Sequence, residues 1–333
     1  MRILTLFCVA MLTVPMIGIA FAGDFRPAVV YDTDNKFDKG FNEGVWNGLR
    51  KFSDETGVRV EELLIADRTR REQEIQELVE SGATMVIAVG FAQADAIDAV
   101  AADYPDRQFA IIDVSWLDRP NLRQYAFREH EGSYLVGVAA ALASRTGKVG
   151  FVGGMDIPLI HRFHCGYLQG AKAARSDIEV LQAMIGTTPS AWRDPARAAE
   201  LAQGQIEQGA DVIYHAAGGS GIGVIRAAAE AGRLAIGVDS NQNGLAPGSV
   251  LTSMLKRVDV AAYQTLSDGL NGNFTAGVIS LGLAEGGVDW VQDEHNAGLL
   301  SDSLKSAVEQ ARADIVMEKI KVHDYMQDSR CPG

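Results

Sequence analysis

Short apolar segments alternate with longer amphipathic segments along nearly the whole chain from residue 25 onward. Apolar strands that alternate with helices of about 10–15 residues form parallel βαβ units, with helices on both faces of the sheet. The first run of this alternation predicts strands in RPAVVYD, VRVEELLI, TMVIAVG and QFAIIDV, and helices in FNEGVWNGLRKFSDETG, REQEIQELVESG and ADAIDAVAADYP. The sequence therefore predicts an α/β fold built on parallel strands.

The pattern starts again after residues 127–134, so the chain contains two similar α/β units. The second run predicts strands in GKVGFVGG, IEVLQAMIG, ADVIYHAAGG and LAIGVD, and helices in IHRFHCGYLQGAKAAR, DPARAAELAQGQIEQG and GIGVIRAAAEAG. Asp194 and Pro195 are residue types preferred just before a helix and at its first position. A third joint lies in SVLTSMLKRVD, and two more helical segments follow it. A chain of 333 residues is too long for one ordinary core, so we expect two lobes.

The first 22 residues have the pattern of a secretory signal peptide. Arg2 precedes an apolar run that ends in an A-x-A cleavage motif at residues 20–22. Cys8 lies too early, without suitable small residues before it, to become a lipidated N-terminus. The alternative is a membrane anchor, because the apolar run approaches the roughly 18 residues that a span needs. We expect cleavage after residue 22 and export of the protein.

Charge and cysteine content limit the partners and the compartment. The formal net charge is −13, and an acidic exported protein is a poor candidate for binding nucleic acid or anionic lipid. Cys165 and Cys331 are the cysteines beyond the signal segment. In an oxidising compartment they could form one disulfide that ties the C-terminal tail to the second lobe, and the alternative is two free thiols.

Polar loops follow the carboxyl ends of several predicted strands. In open α/β sheets, ligands bind outside these carboxyl ends. The loops contain Asp32–Asn42, Gly90 and Phe91, Asp113, Gly218–Gly221 and Asp239. We expect them to face one crevice between the two lobes, which is the usual position of a small-molecule site.

Two sequence motifs that are typical of enzymes are incomplete in this chain. The segment AAGGSGIGVI has valine at 224, where a dinucleotide fingerprint needs glycine, and isoleucine at 222, where a nucleophile elbow needs glycine. Gly218 and Gly219 remain either as a helix N-terminus whose N–H groups face a polar ligand or as tight strand–helix packing. The histidines of HRFHC have helical chelate spacing, but no third metal ligand is nearby. The sequence predicts no catalytic residues, no metal site and no cofactor.

Two further segments carry candidate ligand-binding side chains. GVDSNQNG places Asp239 beside the amides of Asn241 and Gln242, and a carboxylate with two amides suits a ligand that carries hydroxyl groups. Lys256, at the third joint, either bridges the lobes through a bound ligand or is an ordinary surface lysine. Trp192 lies in a polar loop of the second lobe, where it is either half-buried packing or a wall of the site.

Together these segments resemble the basic membrane protein family, the nucleoside-binding branch of the substrate-binding proteins of ABC import systems. The similarity extends over almost the whole chain after the signal segment, and it rests on the order and spacing of individually weak motifs. The motifs are FDKGFNEGVWNGL, VIAVGFAQADAI, PDRQFAIIDV, FREHEGSYLVGVAAAL, GKVGFVGGMDIPLI, HRFHCGYLQGAK, GADVIYHAAGGSGIGV, AIGVDSNQ and VLTSMLKRVD.

The resemblance implies a type I periplasmic-binding-protein fold, with two Rossmann-like lobes, three crossovers and a ligand cleft between the lobes. The lobes would be residues 23–126 with 257–283, and residues 127–256 with 284–333. It implies a monomeric periplasmic protein without catalysis that binds a nucleoside, most commonly a purine nucleoside, and delivers it to an ABC permease in the inner membrane. The alternatives are a same-fold receptor for a sugar or for another small aromatic ligand such as riboflavin, a signalling receptor, and a nucleoside-cleaving enzyme.

The resemblance also implies roles for residues of the first lobe. Asp32 and Asn42 would contact the ligand around Phe41, whose ring would stack on the base. Phe37 is expected to pack within the lobe. Gly90, Phe91 and Asp113 lie on neighbouring loops of the same lobe.

In the second lobe, the resemblance implies that Asp239 and Lys256 hold the ribose hydroxyls and that Trp192 forms a wall opposite the stacking ring. Two positions depart from the family pattern. Gly40 stands where serine is usual, which should loosen the first loop, and Asn241 stands where aspartate is usual, which removes a charge near the sugar. Both departures bear on ligand identity.

Overall fold

The structure, a computed structural model, describes residues 25–332. The predicted signal peptide lies outside these residues. The strands are β1 (Pro27–Tyr31), β2 (Glu61–Leu64), β3 (Met85–Val89), β4 (Gln108–Ile112), β5 (Leu122–Phe127), β6 (Lys148–Met155), β7 (Glu179–Gly186), β8 (Val212–Ala216), β9 (Leu234–Asp239), β10 (Val250–Lys256), β11 (Gly277–Leu281) and β12 (Val288–Trp290). The helices are α1 (Phe41–Thr56), α2 (Arg71–Glu80), α3 (Ala94–Asp103), α4 (Glu129–Ala143), α5 (Pro158–Ala174), α6 (Pro195–Glu207), α7 (Gly221–Glu230), α8 (Val258–Leu270) and α9 (Asp302–Val316).

The strands form two six-stranded sheets. The first has the order β11-β5-β4-β3-β1-β2, and the second has the order β12-β10-β9-β8-β6-β7. Neighbouring strands are parallel except β10 and β12, which pair antiparallel. Central strands such as β1, β3 and β8 are buried along their whole length, as expected where helices cover both faces of a parallel sheet. The predicted α/β class is therefore confirmed.

Three connections pass between the sheets: from β5 into α4, from β10 into α8, and from β11 to β12. The predicted lobe boundaries at residues 126, 256 and 283 remain a prediction.

In the part of the chain that the structure describes, no helix combines the length and the apolar character that crossing a bilayer would require.

Local sequence signals fix several element ends. Helix α1 ends at Thr56, and Gly57 follows it with φ of 72°, a left-handed conformation that glycine adopts without steric cost. Before α6, the Asp194 side chain accepts a hydrogen bond from the backbone N–H of Arg197, and Pro195 is the first helical residue. The predicted cap of α6 is therefore confirmed.

Helices α4 and α5 pack close to each other in the second lobe, against the second sheet. A Cβ atom at Gly137 of α4 would lie 2.2 Å from the carbonyl oxygen of Tyr167, and one at Gly170 of α5 would lie 2.0 Å from that of Tyr134. The two backbones therefore touch without intervening side chains. Glu129, the first residue of α4, lies two residues after the end of β5.

The C-terminal tail is tied to α5. A disulfide joins Cys165 to Cys331, with the two Cα atoms 5.3 Å apart. Arg162 donates two hydrogen bonds of 2.7 Å to the carboxylate of Asp324, and the Gln169 side chain bonds both the N–H and the carbonyl of His323. The tail therefore covers the helix whose first residues line the cleft described below.

Reducing this disulfide is expected to lower the free energy of unfolding by about 2–4 kcal/mol, because the crosslink restricts the unfolded chain. Its two cysteines are 166 residues apart in sequence. Urea unfolding with and without dithiothreitol measures the difference. A Cys331→Ser variant is the control, since its stability should not respond to reductant. Equal stability of the native chain in both conditions would contradict the expectation.

Candidate functional site

A cavity of about 630 Å³ lies between the two sheets, at the carboxyl ends of their strands. This volume falls within the range of about 300–1,000 Å³ that is typical of small-molecule sites. Eleven residues proposed from the sequence as ligand-binding line it: Asp32, Phe41, Asn42, Gly90, Phe91, Asp113, Trp192, Gly218, Gly219, Asp239 and Lys256. The structure thus brings together residues that follow strands of both sheets.

Lys256 is the centre of a buried charge cluster at the inner end of the cavity. Its Nζ atom lies 2.6 Å from Oδ1 of Asp113 and 2.9 Å from Oε1 of Glu129, and the lysine is only 3% exposed. Burial would lower the pKa of Lys256, but the surrounding carboxylates raise it, so the ammonium stays charged. Lys256 is therefore not a surface lysine.

Glu129 and Arg162 form a second layer behind this lysine, and the sequence did not single out either residue. Nη1 of Arg162 lies 3.0 Å from Oε2 of Glu129 and donates to the carbonyl of Phe127 at 2.7 Å. Burial would raise the pKa of Glu129, but Lys256 and Arg162 hold it below its usual value. Burial raises the pKa of Asp113, and the neighbouring carboxylate of Glu129 raises it further, against the attraction of Lys256.

Asp239 faces the cavity without a side-chain partner. It is the last residue of strand β9, in a left-handed backbone conformation with φ of 65°, and it is 9% exposed. Among the described residues, its carboxylate accepts no hydrogen bond. Burial raises the pKa of Asp239 to about 7, against the attraction of Lys256. A buried carboxylate with free acceptor capacity suits a ligand that donates hydroxyl groups.

Aromatic rings line the cavity on both sides. Phe41 comes from the first residue of α1, and Trp192 comes from the second lobe. Nζ of Lys256 is 5.2 Å from the centroid of the Phe41 ring, within the range of a cation–π contact. Phe37 packs edge-on against Trp46, with ring centroids 5.1 Å apart, but it also lines the cavity.

Asp38 shapes the loop that presents Phe41, and the sequence reading gave it no specific role. Its two carboxylate oxygens accept the backbone N–H groups of Gly40, Asn42 and Glu43 at 2.9–3.1 Å. The Nδ2 group of Asn42 also donates to it at 2.8 Å. Asp38 thereby satisfies the free N–H groups at the start of α1 and fixes the position of the Phe41 ring.

The amides of Asn241 and Gln242 were expected to face the ligand, and this expectation is wrong. Nδ2 of Asn241 donates to Asp293 at 2.8 Å. Gln242 accepts the N–H of Val238 and donates to the carbonyl of Lys39 at 3.0 Å. Neither amide lines the cavity, because each is taken up by protein partners that are distant in sequence.

The lobes also contact each other directly at the mouth of the cavity. The Ser240 hydroxyl donates to the carbonyl of Gly40 at 2.9 Å, and Nη1 of Arg193 donates to Asp34 at 2.7 Å. A Cβ atom at Gly40 would meet Oδ2 of Asp239 at 3.6 Å, an ordinary contact distance. The structure is therefore a closed form whose cleft is narrowed by contacts between the lobes.

The histidines of HRFHC do not form a metal site. His161 pairs with Asp156 at 2.7 Å, while His164 is buried and burial lowers its pKa to about 4. Among residues 25–332, no cluster of three or more His, Cys, Asp or Glu side chains could hold a metal ion.

Three arginines line the outer end of the cavity, and the sequence analysis missed all of them: Arg68, Arg71 and Arg193. Nε and Nη2 of Arg71 donate to the two oxygens of Asp32 at 2.8 and 2.7 Å. Nε of Arg68 lies 3.6 Å from Oδ2 of Asp32. Asp32, which was expected to contact the ligand, is therefore paired with an arginine that the sequence analysis did not consider.

Sequence comparison matches residues 25–325 to a family described as ABC transporter substrate-binding protein PnrA-like. The ABC transporter nucleoside-binding protein BmpA of Lactococcus lactis subsp. cremoris is 32% identical over 324 residues, covering 90% of this chain and 89% of the relative. Basic membrane protein A of Borreliella burgdorferi is 33% identical over 315 residues, covering 92% and 90%.

Solved structures agree with these matches. An ABC transporter solute-binding protein from Aeropyrum pernix has a TM-score of 0.82 and 28% identity, covering 89% of this chain and 92% of the other. A second one, from Conexibacter woesei, has a TM-score of 0.74 at 21% identity, over 90% and 99% of the two chains. The predicted periplasmic-binding-protein fold is confirmed.

Proposed function

The chain belongs to the family of PnrA-like substrate-binding proteins of ABC transporters, and on this premise we propose that it binds a purine nucleoside between its two lobes. The family is one of binding proteins rather than enzymes. One of its relatives is named as a nucleoside-binding protein. We propose further that the protein delivers this nucleoside to a membrane permease.

The observation that carries this proposal is the pairing of aromatic rings with a free buried carboxylate in one cavity. Phe41 and Trp192 offer faces on which a base can stack, while Asp239 offers acceptors for ribose hydroxyls. Stacking of a base on an aromatic ring contributes roughly 1–3 kcal/mol, and each charge-assisted hydrogen bond adds about 1.5–3 kcal/mol. After ordering costs, these contributions support a dissociation constant in the micromolar range or below.

Lobe closure follows from ligand contacts on both sides of the cleft. A ligand that touches Phe41 in one lobe and Asp239 in the other binds the closed form better than an open one, so it shifts the population toward closure. The closed form would then dock on an ABC permease in the inner membrane, with the protein acting as a monomer in the periplasm. Small-angle scattering should report a smaller radius of gyration with ligand, and an unchanged radius would contradict closure by the ligand.

Equilibrium dialysis with inosine, followed by chromatography of the retained fraction, tests the proposal against the enzymatic alternative. The proposed function predicts that inosine is retained stoichiometrically and remains intact after long incubation. Formation of free hypoxanthine would contradict a binding role and favour a nucleoside-cleaving enzyme. Absence of retention would contradict nucleoside binding.

Affinity for a purine nucleoside is expected to fall as the pH decreases below 7. Burial in the closed form without ligand raises the pKa of Asp239 to about 7, and the ionised carboxylate is the form that accepts ligand hydroxyls. Below this pH a bound proton must leave before binding, which costs up to about tenfold in affinity per pH unit. Calorimetry at pH 8.0 and 5.5 should therefore give a dissociation constant at least about tenfold larger at the lower pH.

Burial also raises the pKa of Asp113, so a control variant must separate its contribution from that of Asp239. Asp38, Asp113, Glu129 and Lys256 face it, and Lys256 stays protonated throughout this interval. An Asp239→Asn variant is the control, because it should bind more weakly at pH 8.0 and show little pH dependence. A native protein whose affinity is equal at both pH values would contradict the role given to Asp239.

A further inference from the structure

The two ends of the cavity differ in the hydrogen-bonding groups that they leave without a protein partner. The inner end presents the free carboxylate of Asp239, which is an acceptor when ionised, and the ammonium of Lys256, which is already paired with Asp113 and Glu129. The outer end presents the guanidinium groups of Arg68, Arg71 and Arg193, which only donate, and the carboxylates of Asp32 and Asp34, which accept from Arg71 and Arg193. A ligand that spans the cavity can therefore place donor groups against Asp239 and acceptor groups against the arginines.

Arg71 is held in a fixed orientation at the outer end. Its Nε and Nη2 atoms form a bidentate pair with Asp32 at 2.8 and 2.7 Å, and its side chain is 18% exposed. Its Nη1 atom has no hydrogen-bond acceptor among residues 25–332. A planar guanidinium clamped on one edge presents its remaining N–H groups in a defined direction.

Arg68 adds a second guanidinium whose donors are free. Its nearest carboxylate oxygen is 3.6 Å from Nε, too far for a hydrogen bond, and the described part of the chain supplies it with no other acceptor. Within the described range, Asp32 is the single carboxylate that both arginines share. The cluster of Arg68, Arg71 and Asp32 therefore carries a net positive charge and donors without acceptors.

Resting on the proposed function, we infer that Arg68 and Arg71 bind the O6/N7 edge of a 6-oxopurine base and make the site select inosine and guanosine over adenosine. Arginine pairs with O6 and N7 because both purine atoms are acceptors that match its fork of donors. Adenine keeps N7 but carries an N6 amino donor in place of O6. With adenosine, an arginine N–H would face another N–H group and lose its acceptor.

The orientation follows from the ribose. Its hydroxyls are the donors that the Asp239 carboxylate lacks, so the sugar lies at the inner end and the base points outward along the aromatic walls. The base edge then reaches the arginine cluster. A nucleoside 5′-phosphate is the competing ligand for the same arginines, because phosphate is also an acceptor-rich group.

Calorimetry with inosine, adenosine, guanosine, 7-deazaguanosine and inosine 5′-monophosphate tests the inference on the full protein. The native protein should bind inosine at least about tenfold more tightly than adenosine, which corresponds to about 1.4 kcal/mol. Guanosine should also bind more tightly than 7-deazaguanosine, which lacks the N7 acceptor. The Arg68→Gln variant should bind inosine more weakly and reduce the inosine-to-adenosine ratio to within about threefold.

Arg70→Gln is the matched control, since it removes the same charge from the neighbouring turn. Arg70 is 49% exposed, pairs with Glu74, and does not line the cavity, so this variant should keep the native preference. Equal native affinity for inosine and adenosine would overturn the inference while leaving nucleoside binding intact. Tighter binding of inosine 5′-monophosphate than of inosine would also overturn it, by assigning the arginines to phosphate. Absence of binding by every nucleoside would overturn the proposed function itself.

Discussion

Replacing Lys256 with methionine is expected to lower the free energy of unfolding by about 3–5 kcal/mol, because it leaves two buried carboxylates without their shared cation. Asp113 and Glu129 lie 2.6 and 2.9 Å from Nζ of Lys256, and both are almost fully shielded from water. Methionine matches the length of the lysine stem but brings no charge. Urea unfolding of the native and variant proteins at pH 8 measures the loss.

Two controls separate this charge effect from general damage. Lys148→Met removes a lysine whose pair with Glu179 is exposed, so it should cost no more than about 1 kcal/mol. The double variant Lys256→Met with Asp113→Asn should recover part of the lost stability, since Glu129 keeps its pair with Arg162. Asparagine also tolerates the left-handed backbone at position 113. A Lys256→Met protein as stable as the native protein would contradict the account of this cluster.

Replacing Phe41 with alanine is expected to weaken binding of a purine nucleoside by at least about tenfold, through loss of base stacking. The ring lines the cavity from the first residue of α1, and the Asp38 cap that holds this helix start does not depend on it. The variant should therefore fold normally. Calorimetry with inosine measures the change in dissociation constant.

Phe274→Ala is the control for this prediction. Phe274 stacks against Arg123, with the guanidinium 4.7 Å from the ring centroid, and it does not line the cavity. Its removal should leave the affinity for inosine unchanged. A Phe41→Ala protein that binds inosine as tightly as the native protein would remove the stacking role of Phe41.

Elements with a strong local pattern could be predicted from the sequence, and elements that depend on distant partners could not. The cap of α6 needs only Asp194 and Pro195. Strand β5 was missed because its sequence LRQYAF is too polar for a buried strand. Arg123 is nevertheless buried, since Asp268 accepts its Nη1 group at 2.7 Å from a helix far along the chain. Helix α4 was missed because it is buried on nearly all sides and therefore lacks an amphipathic period.

The same distinction applies to the site. The rule that ligands lie at the carboxyl ends of strands brought Asp32, Phe41 and Asp239 into one cavity from the sequence alone. Glu129 also follows the end of a strand, β5, and recognising that strand would have identified it. Arg68 and Arg71 gave no such signal, because arginines at the start of a polar helix are usually solvated. Their position at the cavity emerges only from the packing of α2 beside β1.

Calorimetry of the protein, unfolded and refolded to remove any carried-over ligand, tests the central claim most directly. The titrants are adenosine, guanosine, inosine, cytidine, ribose and riboflavin. The account predicts binding of purine nucleosides with no heat from ribose, since the base must stack on the aromatic walls while Asp239 holds the sugar. Binding of ribose alone, or binding of riboflavin without binding of any purine nucleoside, would contradict the proposed binding of purine nucleosides.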